Sequence, residues 1–298
     1  MAINQFADMS EEEFTQKVLG LNTELEKQST QAAPEMFRYS NANVPAKMDW
    51  VKEGAVTDVK NQLIAVGAIE GINYIKTKEL TSLSVQQLVD CDHAYNMGCG
   101  GGLMSYAFDY VHKNGGIDTD EDYSYWSVDL ACQTAKQGNR HMVSIDGYEE
   151  VPKNDTQALL KAVSNQPVSV GICANSNLQF YSSGVVDEPS CCSQMNHGVL
   201  VVGFENDGPQ RHWKIKNSWG TGWGEEGYFR AAMDAQAPSG TCGLLQMPAY
   251  PVKKTAKNPE HSELCGYFGM TMCEPHASCL CEYSFFDLVC LSWGCQAH

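Results

Sequence analysis

Val66, Ile69, Ile72 and Ile75 recur at helical spacing and predict an amphipathic helix over 65–76. A second helix is expected over 103–112, directly after a run of glycines. The second half of the chain changes period. Residues 167–172, 198–204, 212–216 and 227–230 are short runs rich in β-branched and aromatic residues, bounded by Gly, Pro or Asn, and read as strands. Helices first and strands later argue for an α+β protein with two lobes, helical on one side and β-rich on the other, rather than alternating βαβ units. Ahead of these elements, Ser10 and Glu13 form the pattern of a capping box at the start of a short helix. A polar tract over 22–33 has linker composition, and from Val44 the texture turns to that of a packed domain.

Composition narrows the possibilities. The 298 residues are 43% hydrophobic, enough for one two-lobed domain with small appendages. Twenty basic against 36 acidic side chains leave a net charge of −16, which argues against a nucleic-acid partner. That charge fits a well-solvated surface or an acidic compartment. No apolar run is long enough to span a bilayer, so no membrane partner is expected. Of the 13 cysteines, six crowd into 265–295, which points to an oxidising, secretory-pathway setting. The first residues are not a signal peptide, so one is expected upstream of residue 1. Cys279-Leu280-Cys281 lacks the second ligand pair that zinc would need, and neither a metal nor a cofactor is implied.

The candidate chemistry is that of a Cys/His peptidase, which needs a thiol, an imidazole, an orienting group and oxyanion donors. Asn196-His197-Gly198 opens an apolar strand, and Lys216-Asn217-Ser218-Trp219-Gly220 follows twenty residues later. Either motif alone is more often structural; together, in a Gly/Trp-rich frame, they point to a site.

At this point the chain resembles the papain-like cysteine peptidase family. The matching segments occur in family order: Val44-Pro45-Ala46-Lys47-Met48-Asp49-Trp50, Lys60-Asn61-Gln62, Leu88-Val89-Asp90-Cys91, Gly98-Cys99-Gly100-Gly101-Gly102, Asn196-His197-Gly198 and the Asn217 motif. The resemblance implies a two-lobed fold with a cleft between the lobes over 44–252. It assigns His197 as the catalytic imidazole, Asn217 as its orienter, Trp219 as the ring shielding the pair and Gln62 as an oxyanion donor. Leu103, Met104, Gly171, Met195 and Gly198 match the positions of a pocket for a bulky apolar side chain. Cys91 is expected to pair with Cys132, and Cys191 or Cys192 with Cys242; Cys99 is left without its family partner, and Cys173 reads as a buried free thiol. Residues 1–43 resemble the last part of an inhibitory propeptide followed by a linker, 253–263 a second linker, and 264–298 part of a granulin-like, disulfide-rich module.

One stretch departs from the family pattern. Between Gln62 and Ala65 stand only Leu63-Ile64, where the family carries a segment about eight residues longer that includes Cys-Trp. The resulting expectation is a cysteine-type endopeptidase by family that is inactive as written, with truncated ends and a central helix shortened enough to put the left lobe's stability in question. The alternative is a non-catalytic pseudo-peptidase that binds peptides or proteins. Polypeptide substrates or protein inhibitors are the expected partners of a monomeric protein of the secretory pathway, lysosomal, vacuolar or extracellular.

Overall fold

The structure is a computed structural model that describes residues 3–28, 37–59, 64–133, 142–187, 191–192 and 194–259, with strand segments at 264–265, 271–272, 277–285 and 289–297. Its chain order begins with α1 (Glu11–Val18), β1 (Lys47–Asp49), α2 (Ile64–Thr77), α3 (Val85–Cys91) and α4 (Met104–Lys113). It continues with β2 (Gly147–Glu150), α5 (Thr156–Val163), β3 (Val168–Ile172), α6 (Ser176–Gln179) and β4 (Val185–Val186). Then come β5 (His197–Glu205), β6 (His212–Lys216), β7 (Tyr228–Ala232) and β8 (Ala249–Val252). The two long helices and four strands lie within one or two residues of the expected spans. The capping box of α1 is formed: Ser10 Oγ accepts from Glu13 N at 3.2 Å, and the Glu13 carboxylate accepts from Ser10 N at 3.0 Å.

The architecture is the expected α+β fold with two lobes. One sheet runs in the order β2-β8-β3-β5-β6-β7-β4, with β1 added against β5. Strand β5 is buried on both faces, and its side chains alternate between two cores. Val199 and Val201 join the core of the β-rich lobe with Trp213, Ile215 and Phe229. Leu200 and Val202 join that of the helical lobe with Val66, Ile69, Leu88 and Phe108. The short α2 is no obstacle to this core: Val66, Ala68 and Ile69 are fully buried.

A buried polar chain crosses from one lobe to the other. Lys216 Nζ donates to the carbonyl and hydroxyl of Thr57 at 2.9 and 3.1 Å. Thr57 Oγ1 donates to Glu70 Oε2 at 2.7 Å, and Glu70 Oε1 accepts from Leu83 N at 2.9 Å. A buried cation and carboxylate are tolerated because each is hydrogen-bonded.

Two expected linkers are more tightly held than their composition suggests. Lys253, at the start of 253–263, is buried and donates to Ser144 O and Asn258 Oδ1, both at 2.7 Å. Asn22, at the start of 22–33, donates its amide to Gly102 O. In the C-terminal module, β9 (Leu264–Cys265) pairs with β10 (Thr271–Met272), and β11 (Ala277–Phe285) pairs with β12 (Val289–Ala297), setting Cys279 opposite Cys295.

The lobes meet where Gly71 of α2 lies against Pro167: a Cβ there would sit 2.8 Å from the proline Cγ and 3.0 Å from Cδ. Gly71→Ala is therefore expected to destabilise the protein by about 1–3 kcal/mol through overpacking, read as a lower urea midpoint at unchanged slope. An unchanged midpoint would mean that the lobes pack less closely than described.

Candidate active site

His197 is the first residue of β5, and Asn217 directly follows β6. The pairing of those strands, with Leu200 opposite Lys216, brings the two side chains together although twenty residues separate them. His197 Nε2 lies 2.8 Å from Asn217 Oδ1, which also accepts from Ser218 N at 2.8 Å. Since the Ser218 amide can only donate, that atom of Asn217 is the oxygen, and His197 Nε2 must carry the proton. Nδ1 is then the basic nitrogen, and no described residue donates to it. The Trp219 ring stacks on the imidazole at 4.7 Å and 26°. Behind it, Trp219 packs edge-on against Phe6, Phe14 and Trp223. Burial lowers the His197 pKa to about 4, against the opposing effect of its bond to Asn217.

The five expected pocket residues fall in two neighbouring groups. Gly171 is opposite Gly198 in the β3–β5 register, with Ile172 opposite His197. Leu103, Met104 and Gly198 line a cavity of about 590 Å³ together with His197, Trp219 and Ile64. Gly171 instead faces Leu21 and Met195: a Cβ on it would lie 2.8 Å from Leu21 Cδ2 and 3.2 Å from Met195 Sδ. The segment Gly20-Leu21-Asn22 runs along the cleft as a short strand. Leu21 N donates to Asn196 O at 3.0 Å on one side, while Gly102 N donates to Gly20 O at 2.9 Å and Asn22 N to Gly102 O at 3.2 Å on the other. Gln62, the expected oxyanion donor, lies outside the described residues.

Sequence reasoning missed Leu21, and its signal was faint: one leucine beside a glycine at the edge of a polar tract. It also missed Asn96, whose Oδ1 accepts from Leu103 N at 2.8 Å and whose Nδ2 donates to Asp92 Oδ2 at 2.6 Å. Asp92 is buried at the cavity wall, and that burial raises its pKa to about 6.

The cysteines fall into three pairs among the described residues. Cys91 bonds Cys132, as expected, and Cys191 bonds Cys242. Cys173 is not a free thiol: it bonds Cys192. The adjacent pair Cys191-Cys192 thus feeds two disulfides, which the family resemblance had no second partner to suggest. Cys99 is free and exposed, and lines the same cavity as His197. Partial burial of its sulfur, and the Asp129 carboxylate beside it, raise the thiol's pKa.

Comparison with known proteins decides the family. The model of the papain family cysteine protease matches residues 44–252. The chain belongs to the papain family of cysteine proteases. It is 41% identical to "Probable cysteine protease RD21C" of Arabidopsis thaliana over 99% of this chain and 67% of that protein. It is 44% identical to "KDEL-tailed cysteine endopeptidase CEP2" of the same plant, over 87% of this chain and 75% of that one. Among solved structures, the proform of the ragweed pollen allergen Amb a 11 cysteine protease superposes with a TM-score of 0.77 at 40% identity, over 85% of this chain and 81% of that one. The chain spans about two-thirds of the length of the first of these relatives.

These matches correct the expectation of an inactive, clipped homologue. The family match takes in residues on both sides of Leu63-Ile64, and the alignment to a cysteine protease covers 99% of the chain, including the segments before and after 44–252. The imidazole–amide pair is assembled. The similarity and the assembled pair support an active papain-like protease rather than an inactivated one.

The low pKa of His197 has a consequence for stability. The folded imidazole binds its proton near pH 4, whereas an unfolded one does so near pH 6.5. The unfolded state thus takes up the proton first, and stability that is fully present above about pH 6.5 is lost as the pH falls toward 4. The loss attributable to His197 is about 3 kcal/mol between pH 7 and pH 4. Urea unfolding of wild type and His197→Gln at several pH values should show a gap that changes by that amount; a constant gap would refute the burial argument.

Proposed function

We propose that the protein is a cysteine-type endopeptidase acting on polypeptides by acyl transfer, with the His197–Asn217 pair moving the proton. The observation that carries this reading is the 2.8 Å contact beneath the Trp219 ring, at the edge of a cleft that already holds an extended peptide segment. Asn217 holds the proton on Nε2 and turns Nδ1 outward as a base. A neutral imidazole of this kind takes a thiol proton as the sulfur attacks the peptide carbonyl, and then gives it to the leaving amine. Water releases the acid from the thioester in a second step. Cys99 is free and shares the cavity with His197, so it is the first thiol to test.

The geometry also supports roles for the neighbouring residues. Leu103, Met104, Gly171, Met195 and Gly198 form a side-chain pocket suited to leucine, the residue that Leu21 presents to it. Residues 1–43 act as a propeptide whose 20–22 segment occupies the cleft until it is removed. Gln62 is assigned as an oxyanion donor, and 264–298 as a granulin-like appendage. The resemblance to a protease named as KDEL-tailed, together with the disulfides, supports passage through the secretory pathway. No helix among the described residues is long and apolar enough to cross a membrane.

The test is hydrolysis of peptides with leucine at the pocket position, after removal of the N-terminal segment. Cleavage should be abolished by a thiol alkylator and should fall by about two to four orders of magnitude in His197→Ala. If alkylation blocks activity in wild type but Cys99→Ser remains as active, the nucleophile lies elsewhere, and mass mapping of the label locates it. Hydrolysis that survives both alkylation and His197→Ala, or no hydrolysis at all, would sink the reading.

A further inference from the structure

The Cys173–Cys192 disulfide is built into the wall of the pocket that Leu21 fills. Gly171, against which Leu21 rests, lies two residues before Cys173; Met195, which also lies against Gly171, is three residues after Cys192. Between them Asn196 ties the same two segments together. Its amide donates to Ile172 O at 3.0 Å, its Oδ1 accepts from Ala174 N at 2.8 Å, and its Nδ2 donates to Ala174 O at 2.9 Å. The Asn196 carbonyl is also the acceptor for Leu21 N. A change at the disulfide therefore reaches both the side-chain wall and the backbone anchor of the cleft segment.

The two halves of this disulfide differ in access. Cys173 is 3% exposed, and its backbone amide donates to the Cys242 carbonyl at 2.8 Å. Cys192 is exposed. Attack by an incoming thiolate is thus open at one sulfur and closed at the other. The neighbouring Cys191–Cys242 bond ties the same loop to the turn around Cys242, where a Cβ on Gly243 would lie 3.6 Å from Met195 Cγ, so a second tether remains when Cys173–Cys192 is broken.

We propose that Cys173–Cys192 is a reducible catch on the cleft: reduction by a small dithiol loosens the Met195 wall and releases the Gly20–Asn22 segment. A thiolate of the dithiol attacks the Cys192 sulfur to form a mixed disulfide, and the Cys173 sulfur leaves and takes up a proton. The second thiol of the reagent then displaces Cys192 and closes the reagent's own disulfide. Two electrons and two protons pass from the dithiol to the two cysteines. The proposal rests on the reading of 20–22 as a cleft occupant, but its test does not use hydrolysis.

The experiment treats the full chain with low concentrations of dithiothreitol, alkylates the freed thiols, and maps them by mass spectrometry alongside amide hydrogen exchange of the peptide spanning Leu21. Cys173 and Cys192 should be labelled before Cys191, Cys242, Cys91 and Cys132. Exchange at Leu21 should quicken by roughly tenfold in step with that labelling. The double variant Cys173→Ala/Cys192→Ala should exchange fast without reductant and respond no further to it. Prior reduction of Cys191–Cys242, or unchanged Leu21 exchange once Cys173 and Cys192 are labelled, would overturn the proposal. If the double variant does not fold, the order of labelling and the Leu21 exchange of the reduced wild-type protein decide the matter alone.

Discussion

The two lobes are held to one geometry by a strand that belongs to both. Side chains of β5 alternate between the β-rich core and the helical core, so a slip of one residue would turn each set into the wrong lobe. Its register is therefore fixed by hydrophobic burial on both faces at once. The first residue of that strand is His197, at the point where the two cores part and the cleft begins. Pairing with β6 on one side then delivers Asn217, and pairing with β3 on the other delivers Gly171. His197, Asn217 and Gly171 thus owe their places to one strand's register rather than to three separate placements.

Burial also sets the electrical character of the site. Taking the imidazole out of water disfavours its charged form, and the Asn217 oxygen fixes which nitrogen keeps the proton without supplying a counter-charge. The pair is thus a neutral base throughout the mildly acidic and neutral range, ready to accept a proton rather than already holding one. The aromatic ring over it and the phenylalanines behind that ring keep water from the Nε2 side. Phe6 and Phe14 come from the N-terminal segment, so part of this shield is not supplied by 44–252.

Those elements whose cause lies in local pattern could be read before folding. The period of Val66, Ile69 and Ile72 reports a helix because one face must be apolar, and the Ser10–Glu13 box reports its own hydrogen bonds. The meeting of His197 and Asn217 was legible through the order of their motifs. Strands β1, β2 and β8 were not, because Lys47–Asp49 and Gly147–Glu150 are short edge segments whose side chains carry no clear alternation. Nor was the Cys173–Cys192 bond legible: two cysteines nineteen positions apart meet only because β3 and β5 pair. Composition misjudged Lys253 and Asn22 for a related reason, since a polar side chain or amide that finds a buried partner looks no different in sequence from one left in water.

The cleft divides its work between its two walls. The glycine run Gly100-Gly101-Gly102 on the helical side has no side chains to offer; a Cβ on Gly101 would come within 2.2 Å of Gly20 O, and Gly101 itself adopts φ +93°. What it offers is backbone, through the Gly102 amide and carbonyl, to any extended chain regardless of sequence. The β-rich wall contributes one backbone acceptor, Asn196 O, and the side-chain contact of Leu21 with Gly171, beside Met195. For the endopeptidase proposed above, backbone contacts of this kind would hold an extended chain along both walls, whereas discrimination between side chains would fall to the β-rich side, in the few residues around the Cys173–Cys192 bond. A change in the glycine run should weaken all extended ligands alike; a change around Met195 should reorder them.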